Sequence, residues 1–132
     1  MIGKIALDTD VAIMFLNGNE PTDAFLAKQT EVYLPVIVAG ELIFGALNSK
    51  HAEQNLARHK KLIQKALVLP ITETTANTYA KTRLSMKKKG NPIPENDLWI
   101  ASLCIEHKIP LLSNDAHFED IEHLTLVRLS AF

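Results

Sequence analysis

The stretch Ile5-Ala6-Leu7-Asp8-Thr9-Asp10-Val11 decides the fold: three apolar residues stop at a carboxylate, and a polar turn leads into another apolar run. So short a run reads as a buried strand, and residues 11–16 after it as a helix broken by Asn17-Gly18-Asn19. The same arrangement recurs late in the chain, where Pro110-Leu111-Leu112 gives way to Ser113-Asn114-Asp115. Working outward, residues 32–34, closed by Pro35, and residues 125–129 read as further strands. Helices fit residues 21–28, Val36–Leu47, residues 51–66 and residues 72–89, with 67–69 as a brief extended link between the last two. After the breaker Gly90-Asn91-Pro92-Ile93-Pro94, a largely buried helix fits Glu95–His107, and a short helical turn fits 117–120. Strands alternating with helices predict an α/β layered domain with a mainly parallel sheet. Sites in such sheets form beyond the carboxyl ends of the strands.

The 132 residues predict one domain, 1–132, with a single packed core. A 47% apolar, 22% charged composition is that of an ordinary globular protein, and no apolar run approaches the ~20 residues of a membrane span. The N-terminal residues do not read as a signal peptide, since Asp8 interrupts a short apolar run. One cysteine, Cys104, in an apolar helical stretch, fits a buried thiol in the cytoplasm. Charge is unevenly spread: residues 50–90 hold ten of the fourteen Lys and Arg against two acids, a net +8. The rest carries four basic and thirteen acidic side chains, a net −9. That division suits either a phosphate-rich partner or two solvated helices.

Four acids stand at the edges of apolar segments: Asp8, Glu41, Asp97 and Asp115. Burying a carboxylate is costly, so four such placements point to a shared metal site. Asp8 and Asp115 each follow a strand, where helix capping explains Asp8 less well than it explains Asp10. Glu41 has Ile37, Val38 and Phe44 on its helical face, and the helix-weakening Gly40 and Gly45 suggest close approach by another backbone or a substrate. Asp97 lies in a first helical turn, where the helix dipole favours an ionised carboxylate fit for a hard cation. Glu95 or Asn96 would cap that helix, or Asn96 would hold Asp97. Thr9, Asp10, Asn96, Asn114 and His117 are candidates to orient the acids; for His117 a surface role competes. The histidines lack zinc-site spacing.

The segments Leu7-Asp8-Thr9-Asp10, Ala39-Gly40-Glu41-Leu42, Glu95-Asn96-Asp97-Leu98-Trp99-Ile100-Ala101 and Leu111-Leu112-Ser113-Asn114-Asp115-Ala116-His117-Phe118 together resemble a PIN-domain ribonuclease, specifically a VapC-like toxin of a toxin–antitoxin pair. The resemblance implies a three-layer α/β/α sandwich whose Asp8, Glu41, Asp97 and Asp115 bind Mg²⁺ or Mn²⁺ and hydrolyse RNA phosphodiesters. It also implies a homodimer and a cognate antitoxin that covers the site; the apolar helices around Phe15, Leu16, Ile43 and Phe44 serve either as contact surfaces or, for most of them, as core packing. His117 stands where many relatives carry a further Asp, and Asp10 where Asn or Ser is common. Two other readings compete. Asp8-Thr9-Asp10-Val11 resembles the nucleophile motif of haloacid dehalogenase-like phosphatases, though that leaves Glu41 and Asp97 without a role. A catalytically silent binding module would use the acids only as caps.

Overall fold

The first expected strand forms as β1 (Lys4–Leu7) in the computed structural model, which describes residues 3–129. Ile5, Ala6 and Leu7 are fully buried, as a strand covered on both faces requires. The chain then runs α1 (Thr9–Leu16), α2 (Glu20–Ala27), β2 (Glu31–Pro35), α3 (Val36–Leu47), α4 (Ala52–Lys65), β3 (Leu67–Leu69), α5 (Glu73–Lys88) and α6 (Glu95–His107). It finishes with β4 (Leu111–Leu112), a 3₁₀ turn (Ala116–Phe118) and β5 (Leu126–Val127). Local chemistry sets the boundaries. Asn19 accepts the Thr22 amide at 3.0 Å to start α2. Thr72 and Thr75 form a capping box at the start of α5.

All four strand pairings are parallel, in the order β3-β2-β1-β4-β5. Leu67-Val68-Leu69 is therefore an edge strand paired with β2, not a mere link. Three residues are too few to show a period, and the neighbouring strand supplies the ladder. β5 covers only two of the five residues expected from 125–129.

From β1 the chain steps outward to β2 and β3, then crosses back to place β4 on the other side of β1. Right-handed crossovers put the helices of these two journeys on opposite faces, giving a three-layer α/β/α sandwich. The reversal lies between β1 and β4, whose registers pair Leu7 with Leu112. Asp8 and Ser113 thus leave adjacent strands side by side, at the switch point where open α/β sheets place their sites. α6 is buried along Leu98 and Ile100–Cys104. Cys104 is buried, and desolvation pushes its thiol pKa up to about 12, which makes it an inert core residue. Among the described residues, no helix is long and apolar enough to cross a membrane.

Candidate metal centre

Asp8 is buried, 5% exposed, at the junction of β1 and α1. Its Oδ1 accepts the Val11 amide at 2.8 Å, so Asp8 is itself the N-cap of α1, a role the sequence assigned more readily to Asp10. Its Oδ2 accepts a hydrogen bond from the Ser113 hydroxyl. Burial raises the Asp8 pKa to about 6 despite both hydrogen bonds, with the charges of Asp10 and Asp115 adding to the rise. Asp10 is exposed in the first turn of α1 and acts on Asp8 only through its charge.

Ser113 also accepts the Asp115 amide at 3.0 Å, so one fully buried hydroxyl ties together the two acids that follow β1 and β4. Its signal in the sequence was a small polar residue closing an apolar strand, which reads equally well as a turn. Asn114 does something else. Its amide exchanges hydrogen bonds with the Leu129 backbone at 3.2 and 3.4 Å, pinning the end of the described chain.

Asp97 enters from the first turn of α6, whose N-cap is Pro94 with no side-chain cap. Neither Glu95 nor Asn96 caps the helix as expected. Glu95 accepts from the Tyr79 hydroxyl, and the Asn96 amide points at Glu41 Oε2, 3.5 Å away, rather than at Asp97. Burial raises the Asp97 pKa, and the charges of Asp115 and Glu41 add to this; the His117 hydrogen bond opposes it.

His117 is partly exposed, yet its Nδ1 lies 2.8 Å from Asp97 Oδ2 and 3.2 Å from Asp115 Oδ1. A surface position and a place in the cluster are both realised, which the sequence alone had set as alternatives. Ligand atoms of Asp97, Asp115 and His117 lie within 4.8 Å of one another. Glu41, in the second turn of α3, accepts from the Thr9 hydroxyl at 2.5 Å. A Cβ at Gly40 or Gly45 would meet nothing within 4 Å, so no other backbone in this chain approaches α3 there.

Asp97, Asp115 and His117 thus form the close cluster past the carboxyl ends of the strands, with Asp8 tied to it through Ser113 and Glu41 reached by Thr9 and Asn96. Oxygen-rich, partly desolvated and mutually repelling, this donor set fits a hard divalent cation. The PIN domain family model matches residues 5–124. This chain belongs to the PIN-domain family. It is 32% identical over 116 residues to ribonuclease VapC1 of Haemophilus influenzae strain R2866, covering 83% of this chain and 84% of the relative. A DNA-bound VapBC structure from Salmonella typhimurium superposes with a TM-score of 0.88 at 26% identity, covering 98% and 99% of the two chains. VapBC2 from Rickettsia felis, bound to a promoter DNA fragment, gives 0.87 at 26%, covering 97% and 98%. Membership in this family sets aside the haloacid dehalogenase-like reading.

Proposed function

We propose that this chain is an endoribonuclease toxin that hydrolyses RNA phosphodiesters with Mg²⁺ or Mn²⁺ and is neutralised by a cognate antitoxin. One observation supports the reading: Asp97, Asp115 and His117 cluster past the ends of β1 and β4, with Asp8 and Glu41 hydrogen-bonded beside them, in a PIN-family chain whose relatives are named VapC ribonucleases. Asp8, Glu41, Asp97 and Asp115 are the proposed ligands and catalytic acids. When bound, the cation would supply an activated water and offset charge on the phosphoryl and leaving oxygens. Ser113 fixes one oxygen of Asp8, Thr9 and Asn96 orient Glu41, and His117 holds Asp97 and Asp115 at a common spacing.

The antitoxin partner is supported by the VapBC structures among the structural neighbours. It is also supported by an apolar groove of about 450 Å³, lined by Phe15, Leu16, Leu26 and Val32, with Arg58 and Lys61 at its rim. A homodimer is proposed through α3, where Phe44 and Leu47 are 68% and 59% exposed. We place the whole 1–132 unit, as one PIN-like domain, in the cytoplasm with its RNA substrate. The test is incubation of the purified chain with total RNA and with p-nitrophenyl phosphate, with and without metal. Metal-dependent RNA fragments with no phosphatase activity are expected, and Asp10→Asn should weaken cleavage without abolishing it. Hydrolysis of the nitrophenyl ester, lost in Asp10→Asn, would overturn the reading.

A further inference from the structure

Beside the acids, α5 and α6 carry a surface that the metal centre does not use. The rings of Tyr79 and Trp99 stack with centroids 3.9 Å apart and planes 7° from parallel. Tyr79 rests against the core, and both residues are partly exposed. Trp99 projects from the side of α6 flanked by the exposed Glu95 and Asn96, away from the core face of Leu98, Ile100, Ala101 and Leu103. The Tyr79 hydroxyl donates to Glu95 and accepts from Arg83 Nη1 at 3.1 Å. Tyr79, Arg83 and Lys87, four residues apart, form one ridge along α5. Where that ridge passes Glu95, a cavity of about 320 Å³ opens, lined by Arg83, Lys87, Pro92, Ile93, Glu95 and Leu98. The volume is at the lower end for small-ligand sites and suits a single nucleotide.

Helix α6 joins this surface to the acids. Glu95 belongs to the aromatic side, Asn96 points toward Glu41, and Asp97 meets His117. Trp99 stands two residues from Asp97 on α6, and Arg83 and Lys87 line the cavity beside Glu95 at the start of that helix. A stack serving only to join two helices would need neither the cations nor the cavity. Bases stack on exposed aromatic rings, and guanidinium and ammonium groups hold the phosphates between them.

We propose that the Tyr79–Trp99 stack, with Arg83 and Lys87 beside it, is a nucleotide-binding platform for a base of the RNA strand flanking the scissile phosphate. The proposal rests on the ribonuclease reading for its substrate. Glu95 gives the platform a selective element, since its carboxylate accepts from exocyclic amino groups and repels a misplaced phosphate. Trp99 is the chain's single tryptophan, so its fluorescence reports the platform alone.

The Asp97→Asn chain, held in Mg²⁺, is titrated with a fluorescein-labelled single-stranded adenosine 12-mer and with an abasic 12-mer of the same charge. Binding is followed by anisotropy and stacking by Trp99 emission. The expected result is saturable quenching by the adenosine oligomer, with binding but no quenching by the abasic one. In the active chain, Trp99→Leu should raise KM about tenfold with kcat nearly unchanged, and Trp99→Phe should restore most of the loss, in keeping with loss of one stacked base. RNA that binds without altering Trp99 emission, or no binding at all, would overturn the platform. Wild-type cleavage with an unchanged KM in Trp99→Leu would overturn it too, leaving the nuclease intact. Quenching by RNA in a chain that cleaves nothing would support the platform while the nuclease reading failed.

Discussion

Asp8 shows how one residue can serve the fold and the chemistry with different oxygens. Oδ1 caps α1, and Oδ2 takes the Ser113 hydroxyl on the side facing Asp115. Its pKa, raised from 3.8 to about 6, means that the folded chain binds this proton more tightly than the unfolded chain does. Asp8's contribution to stability is therefore fullest below about pH 4 and falls as pH rises through about 6, by about 3 kcal/mol. Asp97, shifted in the same direction, adds to the fall. Thermal melts of the metal-free protein across that window should show the decline, and Asp8→Asn, which keeps the cap, should remove most of Asp8's share. A pH-independent difference between the two chains would contradict it. Above pH 6 the ionised acids should bind metal, so added Mg²⁺ should raise Tm more at pH 7.5 than at pH 5. Ser113→Ala strips both acids of their shared partner. It should lower metal-dependent activity about 10- to 100-fold and stability by about 1–3 kcal/mol, read by kinetics and denaturant titration.

The helices divide their labour by face. Leu42 is 1% exposed on the core side of α3, and Phe44, two residues on, is open to solvent. Leu42→Ala should cost about 2–5 kcal/mol of stability. Phe44→Asp should leave the fold intact and turn the proposed dimer into a monomer, which sedimentation equilibrium would show. At the end of α5, replacing Lys87, Lys88 and Lys89 with Gln should reduce the salt dependence of RNA binding by about 0.7 in log–log slope per contacting cation. An unchanged slope would remove this end of α5 from the RNA path. The boundaries of α3 and α6 were legible because each is a long apolar helix with proline just before it. The pairing of Leu67–Leu69 was not, because a three-residue edge strand is made by its neighbour β2. The four principal acids stood out against apolar surroundings. Ser113 and the bridging position of His117 did not, because a serine in a turn and a histidine on the surface are ordinary until tertiary contacts give them partners.

At the scale of the molecule, the strand order β3-β2-β1-β4-β5 explains why residues more than a hundred positions apart form one centre. The chain reverses direction between β1 and β4, the two strands lead Asp8 and Ser113 out side by side, and the N-terminal turns of α3 and α6 come to the same edge. Alternating strands and helices gave the fold class away, but the order of the strands, and with it the meeting of the acids, depends on long-range pairing that no local pattern contains. The proposed ribonuclease chemistry rests on these carboxylates holding a divalent cation. The most direct test of that centre is cleavage of total RNA by the purified chain with Mg²⁺ or Mn²⁺, beside an EDTA control and the Asp97→Asn chain. Discrete fragments bearing 5′-phosphates, formed only by the wild-type chain with metal, are the expected result. Equal cleavage by Asp97→Asn, or cleavage that survives EDTA, would contradict a metal-dependent centre built on these four acids.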